Sequence, residues 1–130
     1  MIEEAYVSFE VAKLLKEKGF DGDGVDAECH MFYSDYTETI MPVTEIALVP
    51  YDEVYFAPTQ QMAMKWLREV HNLFIQVWIL SEQGYWFNID KLSDNYNHKG
   101  LYSTGLEDIY YPTYEEACEA AIKYCLENLI

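Results

Sequence analysis

The sequence predicts an α+β fold, in which three helices pack on a mostly antiparallel sheet of about four to five strands as a two-layer sandwich. Three observations predict it. Helical periodicity follows Ser8, Thr59 and Thr113, apolar runs of strand length lie between these segments, and the strands come in groups separated by single helices. Because 130 residues is the length of one domain, we expect a single domain over residues 1–130.

Each predicted helix has its own start signal. Ser8 caps a helix through FEVAKLLKEK, and Gly19 takes the left-handed conformation after it. Thr59 caps the helix of QQMAMKWLREV, whose apolar residues share one face. Thr113 and Glu116 have the spacing of a capping box. The helix after this box carries an apolar stripe of Tyr114, Ala117, Cys118, Ala121, Ile122, Cys125 and Leu129.

The strands are predicted from short apolar runs between turn residues. CHMFYS and TEIALV (residues 44–49) are the two candidates in the first half, and PYDEVYFA is either a short edge strand or a loop. LFIQVWIL is a strand of continuous apolar character, which predicts burial on both faces and a central position. SEQG is a hairpin loop, and YWFNID is the returning strand.

A connection of about twenty residues follows this hairpin. Structureless connections of that length are unusual in compact domains, so the segment is either functional or contains another strand. LEDIYY, residues 106–111, is the best candidate for that strand.

The charge of the chain excludes several classes of partner. The formal net charge is −15, so we expect no direct binding to nucleic acid and no docking on anionic membranes. The longest apolar run, LFIQVWIL, is too short to span a bilayer. The start of the chain lacks a basic region followed by an apolar one, so we expect no signal peptide. The chain has three cysteines, an odd number without the clustering of a metal site, so we expect a reduced, cytoplasmic protein.

The residues that could carry chemistry do not form a recognised site. DGDGVDAE resembles a calcium loop, but counting from Asp21 places Val25, Asp26 and Phe32 at positions where an EF-hand needs an oxygen ligand, glycine and glutamate. Cys29 and His30 are adjacent on a predicted strand, so their side chains point to opposite faces. Cys118 and Cys125 are expected to be buried apolar residues. We predict no catalytic residue, no metal and no cofactor.

Aromatic residues give the only predicted binding surface. Trp66 and Trp78 are interpreted as core residues. Trp86 lies on a strand with an aromatic on each face, and His98 lies in a polar segment next to Asp94, Tyr96 and Lys99. Aromatic surfaces of low charge are typical of protein interfaces. The predicted partner-binding residues are Trp86, Tyr96, His98, Tyr102, Tyr110 and Tyr111.

Three segments of the chain resemble a family of small uncharacterised proteins encoded by phages, prophages and mobile elements of gut bacteria. They are VSFEVAKLLKEKGFD, YFAPTQQMAMKWLREVHN and YPTYEEACEAAIKYCLENLI. The likeness covers the three helical segments, and it implies a cytoplasmic, phage-related context with no assigned activity.

These observations predict a non-enzymatic protein–protein interaction module. Its partner is another protein, with a second copy of this chain as one option. An alternative is an acidic decoy that mimics nucleic acid and occupies a basic groove on a host DNA-handling or defence protein, because the charge favours fast, salt-sensitive association. A small-molecule-binding protein or enzyme is the third hypothesis.

Overall fold

The computed structural model describes residues 2–22, 28–50, 53–93 and 97–130. Its contacts divide the chain into two compact units, Met1–Met62 and Ala63–Ile130, which we call the N-terminal unit and the C-terminal unit. Helices accompany an antiparallel sheet in each, so the α+β class is confirmed. Two three-stranded sheets replace the single sheet of four to five strands. The two-layer sandwich and the single domain stay predictions.

The N-terminal unit begins with a capped helix. Ser8 accepts a hydrogen bond from the backbone of Val11, and Gly19 has a φ of 90°, as the sequence predicts. The helix packs against Val54–Phe56, an edge strand of a three-stranded antiparallel sheet. The elements of this unit are α1 (Phe9–Glu17), β1 (Met31–Ser34), β2 (Thr37–Pro42), a 3₁₀ helix (Val43–Leu48) and β3 (Val54–Phe56).

The second predicted strand of this unit is wrong. TEIALV lies in the 3₁₀ helix, and the strand is β2, directly before it. The physical reason is register, because Ser34 pairs with Thr37 and Met31 pairs with Pro42. Pro42 is thus opposite the first residue of β1, and the residues from Val43 onward have no part of β1 to pair with. The ambiguous segment PYDEVYFA contains β3, an edge strand, so the strand alternative is confirmed.

The second helix links the two halves of the sequence. It is α2 (Gln60–His71), and it begins where predicted, because the Thr59 side chain accepts a hydrogen bond from the Met62 backbone at 3.1 Å. Asn72, with a φ of 55°, ends it.

The C-terminal unit is a three-stranded antiparallel sheet with one helix packed on it. The predicted hairpin is confirmed, and Gly84 is required there because a Cβ on it would lie 2.5 Å from the Tyr111 carbonyl oxygen. The capping box of Thr113 and Glu116 is confirmed as well. The elements are β4 (Leu73–Leu80), β5 (Gly84–Leu92), β6 (His98–Ser103), a 3₁₀ helix (Gly105–Glu107), α3 (Tyr114–Tyr124) and a π-helix (Cys125–Leu129).

LFIQVWIL is a strand as predicted, but its predicted central position and the predicted strand at LEDIYY are wrong. LFIQVWIL forms β4, which lies at an edge of the order β4-β5-β6 rather than at its centre. Most of its side chains are at least partly exposed, because apolar character alone does not say how many faces are covered. The strand hidden in the long connection is β6. LEDIYY instead begins within the 3₁₀ helix Gly105–Glu107 and ends with one bridge from Tyr111 to Tyr85.

Candidate functional site

The two faces of the C-terminal sheet differ in what covers them. Phe87 and Ile89 of β5 are buried on the face where α3 packs, and we call it the inner face. Neighbouring residues of a strand point to opposite sides, and directly paired residues share a side. The register therefore assigns a set of mostly exposed or half-buried residues to the opposite face. This outer face consists of Phe74, Gln76, Trp78, Leu80, Trp86, Asn88, Asp90, Leu92 and His98.

Two tryptophans form the centre of the outer face. Trp78 and Trp86 are directly paired across β4 and β5, and their rings stack with centroids 6.0 Å apart and an interplanar angle of 24°. Gly105, which follows β6 in the chain, also lies against Trp86, because a Cβ there would be 2.9 Å from the indole ring. The order across the face is thus Gly105, Trp86, Trp78 and the open edge of the sheet. Trp78 is 49% exposed.

Hydrogen bonds fix the orientation of the exposed indole. Trp78 Nε1 donates to Asn88 Oδ1 at 2.7 Å, and Asn88 Nδ2 donates to Gln76 Oε1. The amide of Asn88 is therefore held from two sides, and it holds the indole in turn. An exposed aromatic ring held in one orientation loses little side-chain entropy when a partner binds.

A small open depression lies on the outer face, one register step beyond these amides. Its volume is about 170 Å³, and its lining includes His98 and Asp90, whose Nδ1 and Oδ2 atoms lie 3.8 Å apart. His98 is 73% exposed, so the pair is weak and screened by solvent. The depression is lined by Phe74, Gln76, Asp90, Leu92 and His98.

The edge of β4 carries open backbone groups. On β5, Tyr85 exchanges hydrogen bonds with Tyr111, and Phe87 bonds Thr104, so both residues use the side away from β4. Because backbone groups alternate sides along an antiparallel strand, every second residue of β4 bonds β5 and the others point outward. The outward residues are Ile75, Val77 and Ile79, and no described strand lies beyond them. Ile79 is 68% exposed.

Of the predicted partner-binding residues, two lie on the outer face. Trp86 is half-buried in the tryptophan stack, and His98 borders the depression. Tyr96 lies outside the described residues. Tyr102 pairs with Ile89, which places it on the inner face, stacked on Tyr124 of α3 at 3.9 Å. Sequence spacing thus does not bring all six residues to one surface.

The remaining tyrosines serve the inner face or the end of the sheet. The Tyr102 hydroxyl donates to Glu107 at 2.7 Å, and this bond to a carboxylate raises the pKa of Tyr102 to about 12. Tyr111 stacks on Phe87 with centroids 6.0 Å apart, and burial raises its pKa. Tyr110 precedes it and is half-buried. Their part in binding stays a prediction.

Sequence reasoning missed Trp78, Gln76 and Asn88. Trp78 was expected in the core, and its half-exposed position corrects that interpretation, whereas Trp66 is buried as expected. The predicted loop did not give this pairing. A four-residue loop over SEQG would place Trp78 opposite Phe87, whereas the observed pairing of Leu80 with Gly84 places it opposite Trp86 and therefore on the same face as Trp86.

A second depression, of about 290 Å³, lies in the N-terminal unit. Its polar groups are already engaged: the Lys16 ammonium donates to the Val54 carbonyl at 2.8 Å and lies 4.8 Å from the centre of the Tyr55 ring. Asp21 is the acidic residue of its lining, and the other lining residues are Ala12, Gly19, Phe20, Val54 and Phe56. This arrangement stabilises the contact of α1 with β3 rather than presenting reactive groups.

The cysteines are free and buried. Burial, with Asp21 nearby, raises the pKa of Cys29 to about 11, and burial raises the pKa values of Cys118 to about 11 and of Cys125 to about 12. Thiols with such pKa values are neutral at physiological pH and poor nucleophiles. Among the described residues, no three His, Cys, Asp or Glu side chains are placed to hold a metal ion, and Asp23 and Asp26 of the acidic loop lie outside them.

Comparisons with known proteins return no match among family models, curated proteins or solved structures. None of the helices that the structure describes has the length and apolar character needed to cross a membrane. We therefore infer a function from the geometry of the outer face.

Proposed function

We propose that the protein is a non-enzymatic protein–protein interaction module that binds its partner through the outer face of the C-terminal sheet. The observation that carries this proposal is the exposed Trp78, stacked on Trp86 and hydrogen-bonded to Asn88. Tryptophan is enriched among the residues that dominate binding energy at interfaces. Because Trp78 is half exposed, a bound partner can bury the part of the ring that the fold leaves in solvent.

The surroundings of the stack fit an interface. The centre is apolar, while Gln76, Asn88, Asp90 and His98 form a polar rim on one side. Protein interfaces have this anatomy of an aromatic centre and a polar, hydrated rim. Tyr102, Tyr110 and Tyr111 stay predicted partner-binding residues, but Tyr102 lies on the inner face and Tyr111 stacks on Phe87, so the proposed outer-face contact does not depend on them.

The acidic decoy remains the alternative. The N-terminal unit holds 13 acidic and 3 basic residues and the C-terminal unit 10 and 5, which gives formal charges of −10 and −5. A charge excess of this kind favours a decoy that occupies a basic groove through the N-terminal unit. The His98–Asp90 depression supports the third hypothesis, a small-molecule site. The cytoplasmic, phage-related context rests on the sequence resemblance and stays a prediction.

The test is a pull-down from nuclease-treated bacterial lysate at low and at high salt, with the bound proteins identified by mass spectrometry. Wild type is compared with Trp78→Ala and with Tyr36→Ala, a matched loss of an exposed aromatic ring in the N-terminal unit. The proposal expects a protein retained at both salt concentrations by wild type and Tyr36→Ala but lost with Trp78→Ala. A basic protein that all three variants retain only at low salt contradicts it and favours the decoy.

A further inference from the structure

The open edge of β4 and the free face of Trp78 lie next to each other. The outward N–H and C=O groups of Val77 and Ile79 flank Trp78 in the chain. Because Trp86 stacks on Trp78 from the neighbouring β5, we infer that the uncovered face of the Trp78 indole lies on the side of the β4 edge. A segment that pairs with β4 therefore also reaches the free face of Trp78.

Pairing geometry fixes which guest residue reaches the ring. Trp78 uses its backbone groups toward β5, so a guest residue opposite it would form a non-hydrogen-bonded pair. In such pairs the Cα atoms are only about 4.5 Å apart and the side chains are closest. The guest side chain would continue the sequence Gly105, Trp86, Trp78 as a fourth layer.

The negative charge of the chain favours a positively charged side chain on the bound segment. The chain carries a net charge of −15, β4 itself has no charged residue, and Glu82 and Asp90 lie in the adjoining loop and on the outer face. Tryptophan is the best aromatic partner for a cation, and arginine also stacks by its planar group. A second copy of this chain fits poorly, because its own β4 offers no cation and two strongly acidic chains repel each other.

We propose that β4 binds an extended, arginine- or lysine-containing segment of a partner protein by strand addition, with one cation stacked on the free face of Trp78. This inference rests on the proposed function and specifies its partner chemistry and binding mode. Backbone hydrogen bonds to Val77 and Ile79 provide affinity, and alternate side chains of the guest provide specificity.

The probe is a fluorescein-labelled peptide of alternating arginine and valine, titrated with the full chain and followed by fluorescence anisotropy at low salt. Three changes test the three contacts. Trp78→Ala removes the ring, replacement of each arginine by neutral citrulline removes the cation, and Ile79→Pro removes an outward N–H group. The last change leaves the β4–β5 hydrogen bonds intact, because proline is tolerated where the N–H faces away from the sheet.

We expect each change to weaken binding by about tenfold, equivalent to one hydrogen bond or stacking contact, while Tyr36→Ala binds as wild type. Should Ile79→Pro unfold, a peptide N-methylated at every second residue blocks the same hydrogen bonds from the guest side. Full binding by the N-methylated peptide or by Ile79→Pro overturns strand addition, and full binding by the citrulline peptide overturns the cation.

The outcomes separate this inference from the proposed function. A lysate partner that depends on Trp78, together with an arginine peptide that does not bind, leaves the interaction module standing and overturns the cationic strand. Concentration-dependent dimers that Ile79→Pro abolishes, seen by light scattering, identify a second copy as the occupant and also overturn it. Peptide binding that loses about tenfold with each of the three changes supports it.

Discussion

The inner and outer faces of the C-terminal sheet are built from alternate residues of the same strands, yet the side chains in the middle of β5 are buried on the inner face and partly exposed on the outer face. On β5, Phe87 is 1% exposed on the inner face. Its neighbour Trp86 is half-buried and continues into the exposed Trp78 on the outer face. The difference arises from α3, whose buried Ala117, Cys118 and Ala121 are small enough to let the helix approach one face closely. Stability is thus concentrated on one face, and recognition is proposed for the other.

The largest expected effect comes from emptying the inner face. Phe87→Ala removes a buried ring that contacts Tyr102 and Tyr111, and we expect a loss of about 3–5 kcal/mol in the free energy of unfolding. Urea unfolding measures it. Phe87→Leu keeps most of the volume, and we expect a loss below about 1.5 kcal/mol. Equal losses for the two variants would contradict a tightly packed inner face.

A buried hydrogen bond at the sheet edge comes next. Thr104 is buried and follows the end of β6. Its Oγ1 accepts a hydrogen bond from the Phe87 N–H at 3.0 Å, in the place of a backbone carbonyl of a paired strand. Thr104→Val keeps the shape but leaves that N–H without its acceptor, so we expect a loss of about 1–3 kcal/mol. Thr104→Ser retains the hydroxyl and is the control. Unfolding midpoints that agree for the two variants would show that the hydroxyl is dispensable.

Loss of the α3 cap should be a smaller effect. Thr113 and Glu116 exchange hydrogen bonds at 3.1 Å, and Thr113→Ala should cost about 1 kcal/mol. Because α3 covers the inner face, peptide binding at the outer face should stay unchanged. Thermal melting and anisotropy on the same sample measure both quantities. A binding defect in a sample that melts at the wild-type temperature would break the division between the faces.

The tryptophan stack should show the reverse pattern. Since Trp78 is only half buried, Trp78→Ala should lower the free energy of unfolding by about 1 kcal/mol, the size of one cross-strand pair. The affinity of Trp78→Ala for the arginine–valine peptide should fall about tenfold. A destabilisation as large as that of Phe87→Ala would mean that the outer face is part of the core.

The smallest expected effect is a pH dependence from His71. Burial, then the nearby Lys91, lowers the pKa of His71 below its usual value near 6.5. The unfolded chain therefore binds a proton more readily than the folded one, so stability should fall as the pH falls below about 6.5. His71→Gln should flatten this dependence in urea unfolding series. An unchanged slope would assign it to other groups.

The helix ends could be predicted because their signals are local. Ser8, Thr59 and Thr113 each accept a hydrogen bond from their own helix, as their positions in the sequence indicate. The edge position of β4 could not, because it depends on where β6 pairs, and β6 is a short strand with weak alternation. The 3₁₀ helix at TEIALV was missed for a related reason. The segment has strand propensity, but the register of β2 on β1 leaves it without a part of β1 to pair with.

The candidate site was only partly accessible to sequence reasoning. Trp86 and His98 were found, and both lie on the outer face. Tyr102 was grouped with them because its strand, β6, was not predicted, so its side chain could not be assigned to a face of the sheet. Trp78 was missed because an apolar run gives no indication of which side α3 covers.

Hydrogen exchange of the β4 amides reports whether the outer edge of β4 is open in the free chain and covered by a bound segment. In the free chain, the amide of Trp78, which faces β5, should exchange slowly, while the amides of Val77 and Ile79 should exchange fast. Adding the arginine–valine peptide should slow these two amides and leave Trp78 unchanged. Equal protection of all three amides in the free chain would show that the edge is already covered, and it would contradict the account of an open recognition face.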